Sequence, residues 1–239
     1  MATSGTYAYN PSLGEITLYA FNLCGIRNTA LLQEHMESAR MAANMLLGRW
    51  SSQGVNLWCV DLESIPLVQG TATYSVPANT VVMLDAYVVQ NTGGAAINRL
   101  ILPISRSEYA SYPNPEQQGF PTTYWFDRLL SPTVTLWPVP DGSQTSFDYY
   151  RVRQIQDSNF TSGQQVEIPY YFLEAFAFGL AQRLAMVWAP DKVPLLKPLA
   201  DESYDIASRQ NIETAQQYQL TRKRMRYATV AAFAITTPN

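Results

Sequence analysis

Hydrophobic positions in residues 10–58 recur at helical spacing. Ser12 and Glu15, three apart and just after Pro11, form a capping-box pattern. Ile16, Tyr19, Leu23 and Ile26 then share one face up to a break near Gly25. A second helix is predicted from about Asn28 or Thr29. Its apolar residues Leu32, Met36, Ala39, Ala43, Leu46 and Trp50 lie alternately four and three apart, the stripe of a helix packed on another. Glu37, Arg40, Asn44 and Arg49 keep most of its other face wet, and Gly54 offers a C-cap. Together these elements predict a helical hairpin.

From about residue 65 the period changes to two. Residues 71–76 alternate, and Pro77, Ala78 and Asn79 turn the chain. Residues 81–90 are β-branched and mostly apolar, and Asn91, Thr92, Gly93 and Gly94 form a strong hairpin signal. Residues 98–104 supply the returning strand, and Ser105 with Glu108 caps a short helical turn. Further strands are predicted at 122–126, 133–137 and 146–152, with Pro140, Asp141 and Gly142 turning between the last two. Short strands punctuated every eight to twelve residues suggest a small barrel or sandwich.

After Glu167 the helical period returns. Pro169 is expected at the first helical position, followed by Phe172, Phe176, Gly179, Leu180, Arg183, Leu184 and Val187. Gly179, with Ala175 and Ala181, permits a neighbouring backbone to come close. Pro190, Pro194 and Pro198 read as a rigid connection to a last helix over residues 199–227, whose apolar face is diluted by Gln210, Asn211, Gln216, Gln217 and Gln219. The expected fold class is therefore α+β: a helical bundle formed from N- and C-terminal segments with an inserted antiparallel β barrel or sandwich module. The expected division is 1–64 with 168–239 for the bundle, including a C-terminal docking arm at about 228–239, and 65–167 for the inserted β domain.

Composition narrows the chemistry. Of 239 residues 47% are hydrophobic and only 15% charged, below the ~25% usual for soluble domains. This argues against a disordered chain, which needs high charge and few aromatics. A net charge of −3 argues against a general DNA-coating protein. No segment reads as a secretory signal or membrane helix; the longest charge-free interior stretch, 64–84, is interrupted by Pro66, Gly70, Pro77 and Asn79. His35, the one histidine, sits beside the apolar stripe of the second helix and reads as structural or solvent-facing. No nucleophile elbow accompanies it. Cys24 and Cys59 read as buried thiols and fit no zinc motif. Asp201, Glu202 and Asp205 are placed at the start of the last helix, where they complement its dipole. Asp141 and Asp148 lie in or beside a hairpin turn. No catalytic residue, cofactor or metal site is expected.

The basic cluster Arg222, Lys223, Arg224 and Arg226 has two readings: cations at the C-terminal end of a helix, or an anion contact to nucleic acid or to an acidic partner face. Residues 168–239 hold 8 basic and 6 acidic groups, against 8 and 13 in the first 167. Residues 228–239 carry no charge and include Val230, Phe233 and Ile235. Such a segment reads as a docking arm, with simple disorder as the alternative.

In this order and spacing the chain resembles the head–tail adaptor proteins (also called head-completion or tail tubular A proteins) of short-tailed bacteriophages. The resemblance runs through Leu46, Leu47, Gly48, Arg49 and Trp50, then Gly54, Val55, Asn56, Leu57 and Trp58. It continues at the strand entry of residues 67–77, at Gly119, Phe120, Pro121, Thr122, Thr123 and Tyr124, and at residues 134–140. It ends with Ile168 and Pro169 through Gly179, Leu180 and Ala181. It implies a structural virion protein at the head–tail junction, made in the host cytoplasm, that forms a ring of about twelve subunits. The ring joins the portal protein to the tail nozzle or tube and helps retain and conduct packaged double-stranded DNA, which passes through its lumen without sequence-specific binding. Arg222, Lys223, Arg224, Arg226, Val230, Phe233 and Ile235 would then contact the portal. The resemblance implies that the β module helps form the periphery or lower face of the ring. The β segment here is longer than in the smallest adaptors, which are essentially all helical, so the role of residues 65–167 is left open.

Two rival readings remain at this level. The β module could bind a host glycan or other ligand through exposed aromatics such as Tyr124, Trp125 and Trp137, or the same rings could fill a core or a subunit interface. More weakly, the basic end could contact DNA.

Overall fold

The computed structural model describes residues 3, 5–6, 9–54, 56–92, 95–161 and 163–212. Along the described chain the elements are α1 (Leu13–Leu23), α2 (Gln33–Ser52), β1 (Val60–Pro66), β2 (Thr73–Ser75), β3 (Thr80–Thr92) and β4 (Ala95–Pro103). Then follow α3 (Arg106–Ala110), β5 (Gln118–Gly119), β6 (Thr123–Asp127), β7 (Thr133–Trp137), β8 (Val139–Pro140), β9 (Ser146–Arg153), α4 (Leu173–Trp188) and α5 (Val193–Gln210). The fold is α+β with an inserted β module. Two units separate, one of Met1–Leu46 with Asp157–Asn239 and one of Leu47–Gln156.

In the helical unit the expected capping box closes α1. Ser12 Oγ accepts from the Glu15 N–H at 3.3 Å, and Glu15 Oε2 accepts from the Ser12 N–H at 2.8 Å. The buried face of α1 is Leu13, Ile16, Thr17, Ala20 and Phe21. Tyr19, expected on that stripe, falls to its edge and is half exposed. The main packing partner of α1 is α4, from the far end of the chain, rather than α2. Cys24 Sγ donates to the Ala181 carbonyl at 3.4 Å across this contact. Thus the two ends of the sequence form one bundle, with the β module inserted between them in the sequence.

α2 begins later than the periodicity suggested, because Asn28–Ala30 form a 3-10 turn. Leu32 therefore precedes the helix and is exposed, while His35 takes the inward place beside the buried Ala39, Ala43 and Leu46. Asn44, expected on the wet face, is a clamp. Its amide donates to the Ser158 carbonyl at 2.9 Å and accepts from the Ser158 N–H at 2.7 Å, fixing the returning chain to α2.

α4 starts at Leu173, after a 3-10 turn of Tyr170–Phe172 whose N-cap is Pro169. Proline thus opens the turn, not the α-helix. Its extended ψ of 155° is the conformation of a residue still outside the helix. Val187, expected inward, is exposed. The prolines after α4 do not form a connector. Pro190 opens a short 3-10 turn, Pro194 lies in the first turn of α5 and Pro198 inside that helix. Pro194 costs no hydrogen bond, because first-turn N–H groups have no helical partner anyway. Since α5 starts at Val193, its first turn holds no acidic residue, and Asp201, Glu202 and Asp205 lie well along its exposed face. The dipole reading of these three fails; Asp205 instead pairs with Arg209 one turn on. The part of the expected last helix beyond residue 212 lies outside the described residues.

In the β unit seven strands make one sheet in the order β1-β9-β3-β4-β6-β7-β2, curled as a half-barrel, and β5-β8 form a separate pair. All pairs in the large sheet are antiparallel except β4-β6, where Leu102 faces Thr123 and Pro103 faces Tyr124. The β3-β4 hairpin forms where the Asn-Thr-Gly-Gly signal predicted; Gly93 and Gly94 themselves lie outside the described residues. Register shifts on β3, between Thr80 and Val82 and again between Met83 and Ala86, add residues opposite β9. Such bulges bend a strand and raise its twist, which curls the sheet. The concave core is Val88, Ile101, Tyr124, Val134, Leu136, Phe147 and Tyr149 with their neighbours. Burial of each large side chain there contributes about 1.5–3 kcal/mol.

β1 is a strand that the hydrophobic pattern hid. Its inward positions include Asp61 and Glu63, and its apolar Leu62 is 58% exposed. The inverted alternation is explained across the ladder. Arg151 of β9, 6% exposed, sets Nη2 2.8 Å from Glu63 Oε1 and Nη1 2.8 Å from Asn79 Oδ1. Arg153 Nε lies 3.0 Å from Asp61 Oδ2. A nearly buried guanidinium needs this set of acceptors.

Candidate functional site

The residues expected to contact a partner, Arg222, Lys223, Arg224, Arg226, Val230, Phe233 and Ile235, all lie outside the described residues. The chemistry-bearing side chains that are described occupy packing positions. His35 stacks on Trp188 with ring centroids 4.1 Å apart and meets Phe21 edge-on at 5.7 Å. Cys24 and Cys59 are both buried, and burial pushes the Cys24 thiol up to about 11. Among the described residues no group of three or more His, Cys, Asp or Glu is placed to hold a metal ion. No described helix is long and apolar enough to cross a membrane.

The aromatics singled out in the β module divide. Tyr124 is 1% exposed and belongs to the core, its hydroxyl donating to the Leu84 carbonyl at 3.0 Å. Trp137 is half buried, stacked on Tyr112 at 4.0 Å, with Nε1 donating to the Asn114 carbonyl at 3.1 Å. Trp125 lies 5.7 Å from Tyr109. α3 and the loop after it supply Tyr109 and Tyr112, so two tryptophans of the sheet are roofed by two tyrosines of one short segment. Asp141 accepts from the Ser143 N–H at 2.9 Å in a side-chain turn. The Ser143 hydrogen bonds hold its carboxyl below the usual range. Asp148 lies within β9, accepting from Ser64 Oγ at 2.6 Å.

The helical unit carries a site that the periodicity did not reveal. A groove of about 810 Å³ runs between α1 and the start of α4, floored by Ile16, Leu173, Ala177 and Phe178. Its rim holds Tyr9 (81% exposed), Tyr170 (78%) and Tyr19. Two carboxylates, Glu15 and Glu174, complete the lining. The hydrogen bonds that Glu15 accepts from Ser12, the backbone one foremost, hold its carboxyl below the usual range, so it is anionic near neutrality. An apolar floor, a tyrosine rim and negative charge suit a peptide with apolar and cationic side chains. The sequence signal was the tyrosine content together with Tyr19. That ring looked buried only because its spacing from Ile16 and Leu23 fits a helix face.

Comparison with known proteins bears on what such surfaces serve. Curated proteins gave no match. The family model described as SU10 adaptor protein matches residues 27–233, which takes in α2, the whole β module, α4 and α5. That agrees with the phage adaptor resemblance carried by the ordered motifs from Leu46 to Ala181, and it makes the protein a structural adaptor. The chain belongs to the SU10 adaptor protein family.

Proposed function

We propose that the protein is a head-to-tail adaptor of the virion, whose copies form a ring joining the portal to the tail tube or nozzle, and that it acts without catalysis. The observation that carries this reading is the family match over residues 27–233. The charge-poor, tyrosine-rich surface suits broad lateral contacts between subunits. A net charge of −3 suits a duct that conducts DNA without gripping its phosphates. In this reading residues 222–235 form the portal contact: Arg222, Lys223, Arg224 and Arg226 address acidic groups, and Val230, Phe233 and Ile235 fill apolar sites. One weak contact repeated around a closed ring becomes nearly irreversible through effective concentration.

Native mass spectrometry of the protein mixed with a candidate portal ring tests this directly. The expected result is addition of about as many copies as the portal has subunits, lost when residues 228–239 are deleted. A protein that ignores every portal offered, or binds equally after the deletion, overturns the adaptor or the arm assignment respectively. The rival glycan reading draws little support from the aromatics that suggested it, because Tyr124 lies in the core.

A further inference from the structure

The groove between α1 and α4 exposes three tyrosines above an apolar floor and is flanked by two carboxylates. Contiguous apolar surface of this kind calls for an occupant. We propose that in the free subunit this groove is occupied by the same chain's own segment 213–239, which stores the arm until a partner displaces it. The inference goes beyond the portal contact and does not depend on it.

Three observations select that occupant. The first is where the described chain ends. α5 follows α4 through a short turn and packs back along it, so its last residues lie beside the start of α4. Tyr204 of α5 meets Phe172 with centroids 6.0 Å apart, and Phe172 is two residues from the rim residue Tyr170. Ile212 follows Tyr204 by eight residues, about 12 Å along a helix, so the chain beyond it starts within reach of the groove. The second is charge: the groove's Glu15 and Glu174 are opposite in sign to the four cations Arg222, Lys223, Arg224 and Arg226, which directly precede the segment's uncharged stretch. The third is reach. Residues 213–222 span up to about 30 Å when extended, ample for a site near their origin.

Attachment favours the chain's own segment over that of a second copy. A short tether presents it at roughly millimolar effective concentration, above that of separate subunits in solution. A stored arm lowers the affinity of the free subunit for its partner by the fraction of time the arm is docked. Assembly would then begin only where a partner competes for the arm.

Hydrogen-exchange mass spectrometry on the intact chain tests this, at two protein concentrations and with no portal present. Amides in residues 228–237 are expected to exchange about tenfold slower than in a free peptide of that sequence, equally at both concentrations. The double variant Tyr9→Ala with Tyr170→Ala removes two exposed rings and should restore peptide-like rates, with protection of α4 unchanged as the check on folding. Peptide-like exchange in the unmodified chain overturns the proposal. So does protection that grows with concentration, which would mean a second copy's segment, or protection that the double variant leaves intact. Portal binding is read separately, so either idea can fail alone.

Discussion

Gly179 of α4 lies so close to Leu46 of α2 that a Cβ on the glycine would sit 3.0 Å from Leu46 Cδ2. The glycine is what lets the two helices approach. Alanine there gains about 1 kcal/mol of helix propensity but pushes on a buried leucine. Gly179→Val has no room for its branches and is expected to cost about 1–3 kcal/mol. Leu46→Ala alone should cost about 2–5 kcal/mol through the cavity it leaves. In that background Gly179→Ala becomes favourable, by about 1 kcal/mol. Urea unfolding of the four proteins in the cycle measures the coupling. Strict additivity would mean the contact is not tight.

Arg151 is a nearly buried cation of the β unit, held by Glu63, Asn79 and Thr80. Arg151→Met is expected to destabilise by about 3 kcal/mol, the low end for breaking a buried ion pair. The low end applies because the partner side chains of Asp61 and Glu63 remain 40% and 36% exposed and can rehydrate. Glu63→Gln keeps a hydrogen-bond acceptor and should cost about 1 kcal/mol. A chemical denaturation midpoint for each variant checks the order. Equal losses would place the worth of the site in the carboxylate instead of in the guanidinium.

These two sites also show how far the sequence could be read. Gly179 was legible as a point of close approach, because small residues cluster on an otherwise apolar helix. Its partner was not, since nothing local says which helix arrives. The capping box at Ser12 and Glu15, the β3-β4 hairpin and strand β7 were legible because their signals are local chemistry. β1 was not: Asp61 and Glu63 point towards arginines about ninety residues away in the sequence. The α5 boundary was missed because prolines read as breakers, although first-turn positions tolerate them. The groove was hidden for a similar reason. It is made of Tyr9, Tyr19 and Tyr170, which come from two ends of the chain and individually look unremarkable.

Tyr124 and Tyr149 flank the ring of Phe147, at 6.0 and 5.1 Å between centroids, and differ in one respect. The Tyr124 hydroxyl donates to Leu84, whereas the buried Tyr149 hydroxyl has no hydrogen-bond partner among the described residues. Tyr124→Phe should therefore cost about 1 kcal/mol, and Tyr149→Phe should be neutral or stabilising. Thermal unfolding of the two variants distinguishes them. Equal losses would show that the Tyr149 hydroxyl is satisfied after all.

The same pair sets an alkaline limit. Burial pushes both phenols up to about 12, from an ordinary value near 10. For a group whose pKa is raised by folding, the unfolded chain loses its proton first. The stabilisation is whole below about pH 10 and is lost as pH climbs towards 12. A phenolate absorbance titration should show most of the 15 tyrosines ionising near their ordinary value. The last two should ionise only as the β unit's circular dichroism collapses. In Tyr124→Phe, one late phenol should disappear. Late phenols that titrate with the fold intact would contradict the burial.

Trp137 provides the test that separates a ligand surface from structure in the β module. Its ring is stacked on Tyr112 and its indole N–H is committed to Asn114, so its polar edge is already used in holding the loop after α3. Trp137→Ala removes the stack and leaves the Asn114 carbonyl without its indole donor; it should lower stability by about 2–3 kcal/mol. Trp137→Phe keeps most of the stack and should lose about 1 kcal/mol, chiefly the hydrogen bond. Glycan-array binding measured beside unfolding midpoints reads both possibilities at once. A structural tryptophan moves the midpoint in that order and leaves no glycan signal to lose. A ligand site would show binding to some glycan that Trp137→Phe and Trp137→Ala abolish while the midpoint stays put. The stacking and the committed N–H favour the first outcome, because they engage one face and the polar edge of the ring in holding the loop after α3.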